Sequence, residues 1–254
     1  MRKLLMAMGI AAVLLIHTSV TFGGTLTGEV TYAGEIPPPT DLKITTDPFC
    51  IHAAKGRTTE DLVVSQQNGI QNVVIALRRV SGDFKPPAQE PVLDQAGCVY
   101  TPHVTAVLTG TTVNIHTSDQ TLHNVHAHAK KNDEVNWAMP VKNMTLPYKT
   151  IAAEVVKLTC DVHKWMNAYI VVLDNPFFAV IGAKDDAGKT ISASDFRASQ
   201  SKGSYRIENI PPGTYRVQAW HETLGVANAK VDIPETGDLP LKFTSDQFKK
   251  RGKK

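Results

Sequence analysis

The chain has 254 residues, 42% of them hydrophobic and 20% charged, with a formal net charge of +3. That is the make-up of an ordinary soluble globular protein, long enough for one large domain or two of ordinary size. A charge excess this small gives no ground for a nucleic-acid partner, and much of it sits at the two ends.

Residues 1–23 read as a secretory signal peptide. Arg2 and Lys3 precede an apolar run from Leu4 to Ile16, too short to span a bilayer, and small residues follow. Cleavage is expected after Gly23. The mature chain is expected to be periplasmic or otherwise exported, without a stable membrane span.

Gly24 to Gly34 is predicted as a strand, ended by Pro37-Pro38-Pro39. Leu42 to Thr46 is a weaker strand candidate, and Thr46 to Thr59 shows no clear period. Asp61 to Val64 and Val73 to Val80 read as strands on either side of an Asn68-Gly69 turn. A Pro-rich connection, Asp83 to Pro91, leads to strands over Cys98 to Leu108, Thr112 to His116 and Leu122 to Ala129. Lys130 to Tyr148 reads as a long polar connection. Ala152 to Thr159 and Ala168 to Leu173 are the next strands. Short strands, frequent turn signals and no long helix predict an all-β chain built as an antiparallel sandwich or barrel.

Asn175-Pro176 marks the expected domain boundary. Beyond it come the apolar run Phe178 to Ala183 and a turn at Asp186-Ala187-Gly188. Two alternating strands then flank the turn Pro211-Pro212-Gly213. The expected division is 24–174, with an N-terminal extension up to Asp61, then 175–245, then a solvated basic tail over 246–254.

The densest chemistry lies in Cys160-Asp161-Val162-His163-Lys164-Trp165-Met166. A thiolate, an imidazole and a thioether follow one another at three-residue steps. Two imidazoles and a thiolate with a weak axial thioether make a blue-copper electron-transfer site. The second imidazole is expected from His123, which stands before Asn124. These two patterns, Cys-x-x-His-x-x-Met and His-Asn, resemble the cupredoxin family, and most of all its plastocyanin and amicyanin branch. The resemblance covers Gly24 to Asp174 and implies a Greek-key β-sandwich with one type 1 copper held by His123, Cys160, His163 and Met166. It implies that Asn124 braces the ligand loop, and that His163 lies near the surface as the electron exit. Many relatives carry Pro after that His, where this chain has Lys164. Lys164 and Trp165 are read as a docking patch for a redox protein partner, or else as one solvated and one packed residue. The strands from Pro176 to Thr244 resemble carboxypeptidase regulatory-like, transthyretin-like sandwich domains, which implies no catalytic role.

With Cys160 on copper, Cys50 and Cys98 are left to pair as a disulfide, which export favours. Two separate buried thiols are the alternative. His126 and His128 share one strand face, with His123 on the other. They are surface residues or half of a second metal site. His103, His116 and His221 are read as structural. The functional expectation is an exported electron carrier without substrate chemistry. The alternatives are a copper enzyme using His126 and His128, or a metal-free binding module.

Overall fold

The computed structural model describes residues 23–185 and 187–250. The expected signal peptide lies outside the described residues except for Gly23. Asp186 of the predicted turn and the last four residues of the basic tail also lie outside them.

In chain order the elements are β1 (Gly24–Thr31), α1 (Pro48–Ala53), β2 (Val74–Arg78), β3 (Val92–Gln95), β4 (Tyr100–Thr101) and β5 (Val104–Leu108). There follow β6 (Thr112–Thr117), β7 (His123–His128), β8 (Val135–Met139), β9 (Thr145–Lys149), β10 (Val155–Thr159) and β11 (Asn167–Leu173). The remainder is β12 (Phe178–Val180), α2 (Ala193–Ala198), β13 (Ser204–Ile210), β14 (Gly213–His221), β15 (Gly225–Ile233), β16 (Asp238–Pro240) and β17 (Phe243–Thr244). The fold is all-β, as the periodicity predicts.

The first sandwich pairs the sheet β4-β3-β6-β9 with the sheet β5-β11-β10-β7-β8. Side chains alternate across each strand, so one face is buried. β6 turns Val113, Ile115 and Thr117 inward, and β7 turns in His123, Val125 and Ala127. Leu93, Tyr100, Tyr148, Leu158 and Ile170 complete the same core. Each large apolar side chain so buried contributes roughly 1.5–3 kcal/mol.

The second sandwich pairs β13-β1-β16 with β12-β2-β14-β15, and β17 takes over from β16 beside β1. Leu26, Val30, Ile75, Leu77, Ile207, Val217 and Ala219 fill it. At Gly28, where β1 changes partner, a Cβ would lie 1.7 Å from the Leu241 carbonyl oxygen. Only glycine permits that approach. The Pro211-Pro212-Gly213 turn joins β13 to β14, but the two strands lie in different sheets and do not pair.

The structure differs from the expected division at residue 174. β1 pairs with β13, and β2 pairs with β12 and β14. Two strands that precede the copper-type motif therefore complete the second sandwich, so the segment up to Asp61 is not a plain extension of the first. The basic tail is also partly built in. Phe248 packs in the second core and Lys249 pairs with Val226. Where a polar connection was predicted, β8 and β9 flank the short loop between Met139 and Thr145. The strand candidate at 42–46 does not form, with a single bridge of Asp41 to Thr58 just before it, and that at 61–64 is reduced to a bridge of Val64 with Ile70. The aperiodic segment after Thr46 contains α1. Asp47 caps it by accepting from the N–H groups of Phe49 and Cys50, and Pro48 follows at the position where a missing N–H costs nothing.

The two sandwiches meet along Val74 and Ala76 of β2, Val104 of β5, and Val171 and Leu173 of β11. Tyr169 and Trp220 pack edge to face across this seam, with ring centres 5.4 Å apart. His103 and Glu222 form a buried ion pair there. Burial disfavours the imidazolium, but the Glu222 carboxylate outweighs it and raises the His103 pKa.

Candidate metal centre

The first sandwich opens at the end where β7 begins and β10 finishes. His123 is the first residue of β7 and faces inward with no exposure. β10 delivers Cys160 into the loop that leads to β11. That loop closes on itself: the Cys160 N–H donates to Met166 O and the Met166 N–H to His163 O. Cys160, His163 and Met166 are each 1% exposed. Burying so many polar groups at one spot costs free energy unless each finds a partner.

Partners are present. The Nδ1 atoms of His123 and His163 lie 3.0 Å apart, and Cys160 Sγ is 3.8 Å from His163 Nδ1. Ligand atoms of His123, Cys160 and His163 all fall within 4.8 Å of one another. Metal bonds of about 2.0 Å to nitrogen and 2.3 Å to sulfur can close such separations around one ion. The donors are soft sulfur and imidazole, which suits copper. Met166 is buried in the same core cluster as Cys160, with its backbone tied to both other loop residues.

The outer nitrogens are committed to carboxylates. His123 Nε2 is 2.9 Å from Asp119 Oδ2, and His163 Nε2 is 3.1 Å from Asp47 Oδ2. A carboxylate on the outer N–H fixes the tautomer and leaves Nδ1 free for a metal. Asp119 also accepts the N–H groups of Gly97 and Cys98, each at 2.7 Å. Asp47 accepts from Thr121 Oγ1 at 2.6 Å besides capping α1. Sequence reasoning missed both roles. An Asp-Pro helix cap and an Asp four residues before His123 were the only signals, and neither points to an imidazole by itself.

These contacts shift how the three groups titrate in the metal-free chain. Burial would raise the Cys160 thiol, but the His123 imidazole and the N–H groups of Asn124, His163 and Val162 bring it below its ordinary value. Burial opposes protonation of His123, yet Asp119 and Cys160 raise it to about 9. Burial and the neighbouring His123 charge lower His163, against the pull of Asp47.

Asn124 sits beside the loop. Its Oδ1 accepts from the N–H groups of Asp161 and Val162, at 2.5 and 3.4 Å, and its Nδ2 donates to Asn136. Its own N–H donates to Cys160 Sγ at 3.5 Å.

Cys50 and Cys98 form a disulfide. Cys50 Sγ lies 3.7 Å from His163 Nε2. As half-cystines these two sulfurs are not thiolate ligands. The disulfide and α1 cover His163, which corrects the expectation of a surface imidazole. Trp165 is likewise turned inward. Its ring lies against His163, centres 4.9 Å apart, and its Nε1 donates to Cys98 O. The expected Lys164–Trp165 docking patch is thereby reduced to Lys164, which is exposed and 3.8 Å from Asp161.

No protein-family model matches the chain, and no curated protein matches it. Among solved structures, the chain is similar to a reduced amicyanin variant, at 21% identity and a TM-score of 0.31 over 39% of this chain and 98% of that one. It is similar to a purple cupredoxin from Nitrosopumilus maritimus, at 19% identity and 0.28 over 33% and 100%. It is similar to a copper-containing nitrite reductase from Thermus scotoductus SA-01, at 16% identity and 0.31, over 38% of this chain but only 25% of that one. At these scores the similarity carries no weight beside the geometry of the centre itself.

Proposed function

We propose that the protein is an exported electron carrier with one type 1 copper, held by His123 Nδ1, His163 Nδ1 and Cys160 Sγ, with Met166 as the weak axial donor. The observation that supports this most is the convergence of two imidazole nitrogens and a thiol whose pKa is lowered in a buried pocket. Copper there would supply one-electron chemistry between Cu(II) and Cu(I). The chain's part is to hold the ligands still. Asp47 and Asp119 orient the imidazoles and Asn124 pins the loop, so that little would move on electron transfer. Four protein donors leave no position for a substrate.

The disulfide supports an oxidising compartment. Among the described residues, no helix is long and apolar enough to cross a membrane. The partner is proposed to be a redox protein docking on exposed apolar side chains. Ile51, Leu122 and Val162 are 48%, 44% and 46% exposed, and each stands next in sequence to a residue of the centre or its cover. Redox titration of the full chain, after removal of loosely held metal, tests the reading. One retained copper taking up one electron reversibly per chain is expected. A retained copper that cannot be reduced and reoxidised would refute it.

A further inference from the structure

On the outer face of β7, His126 and His128 lie side by side with ring centres 4.1 Å apart. Each imidazole has one nitrogen committed to the protein. His126 Nδ1 is 3.1 Å from Asp161 Oδ2 and 3.4 Å from Asn136 Nδ2. His128 Nε2 is 2.8 Å from Thr159 Oγ1. The other nitrogen of each ring is left over. His126 Nε2 is 3.9 Å from Glu134 Oε1, just before β8. Ligand atoms of His126, His128 and Glu134 lie within 4.8 Å of one another.

We propose that His126, His128 and Glu134 form a second metal site, for a divalent cation such as Cu(II) or Zn(II). Two imidazoles and a carboxylate are a borderline ligand set that both ions accept, and solvent would fill the remaining positions. Asp161, an acceptor, selects the His126 tautomer that offers Nε2, as carboxylate partners do around metal-bound imidazoles, and Thr159 holds His128 by Nε2, which leaves Nδ1 as its remaining nitrogen. Glu134 and Asp161 supply negative charge against the nearby Lys157, which pairs with His128 in the ladder. The placement also ties the site to the buried centre. Asp161 and Thr159, which hold the two rings, flank Cys160 on either side. An ion here therefore lies on the same short stretch of backbone as the thiolate, on the opposite face of the sheet. The proposal does not depend on copper at the buried centre, because its three ligands are different residues.

The test is a Cu(II) titration of the full chain, followed by paramagnetic resonance and visible absorption, in the parent and in His128→Ala and Glu134→Gln. Far-UV circular dichroism establishes that each variant is folded. The expected result is a bound ion that gives a resonance signal without a thiolate band. Its affinity should fall about tenfold or more in each variant, while any thiolate band is unchanged. If the parent shows no thiolate band yet binds this ion, and the variants lose it, the surface site stands and the buried copper reading fails. If the parent binds no ion beyond the thiolate-ligated one, or if both folded variants bind it as tightly as the parent, the surface site is refuted.

Discussion

The two sandwiches have the same construction and different interiors. The second is filled by Leu26, Ile75, Leu77, Ile207, Val217 and Ala219. The first has a similar apolar middle, but one end holds His123, His163, Cys160, Asp119 and Asn124 out of water. A sandwich tolerates such an end only if every polar group has a partner. The chain meets that demand by bringing in segments from outside the ligand loop, namely Asp47 with α1 and the turn at Gly97 and Cys98. The buried polar groups of the proposed centre are therefore gathered in a plug at one end of one sandwich. The other sandwich supplies folding partners for β1 and β2.

The largest test of that division is truncation after Asp174. It removes every partner strand of β1 and the β12 and β14 partners of β2. The fragment is expected to lose cooperative unfolding and to aggregate, as read by thermal circular dichroism and gel filtration. A monomeric fragment that melts cooperatively would show that the first sandwich stands alone.

Removing the disulfide comes next. The two cysteines are 48 positions apart, so Cys50→Ser with Cys98→Ser is expected to cost about 4 kcal/mol by loop entropy. It should also uncover His163, so that small anions reach the centre more readily. Denaturant unfolding reads the first effect. A loss well under 1 kcal/mol would mean that α1 is held by its other contacts.

At the end of β14, on the face that Val217 and Ala219 turn into the second core, His221 offers a pH test. Burial lowers its pKa to about 4, and its Nδ1 accepts from the N–H groups of Thr223 and Leu224. A depressed folded value means that the contribution is present above the unfolded value of about 6.5 and is lost as pH falls through about 4. Up to about 3 kcal/mol should disappear over that window. His221→Gln should flatten the profile. An unchanged slope in that variant would remove His221 from the account.

The smallest expected effect is at Met166. Met166→Leu should raise the reduction potential and Met166→Gln should lower it, since an amide oxygen donates more strongly to Cu(II) than a thioether. Equal potentials in parent and both variants would make Met166 a packing residue.

The sequence shows some of this directly. Alternation exposes β6, β7 and β14, and the spacing of Cys160, His163 and Met166 is visible without any structure. β9 was hidden because Pro147 interrupts its pattern. It is tolerated there because β9 is an edge strand and needs fewer donors. β8 was hidden because it is short and lies in a polar stretch, with Asn136 and Ala138 outward and Val135, Trp137 and Met139 against the core. The parallel pairing of β1 with β16 joins residues more than half the chain apart, and no local pattern encodes it. Asp47 and Asp119 read locally as a cap and a turn residue. Only the fold brings them to the imidazoles.

The central claim is that Cys160 binds copper as a thiolate beside two imidazoles. Visible absorption of the copper-loaded, oxidised full chain, compared with Cys160→Ser, tests it most directly. An intense band near about 600 nm in the parent and none in the variant is the expected result. A parent without that band, or a band that survives Cys160→Ser, would contradict the account.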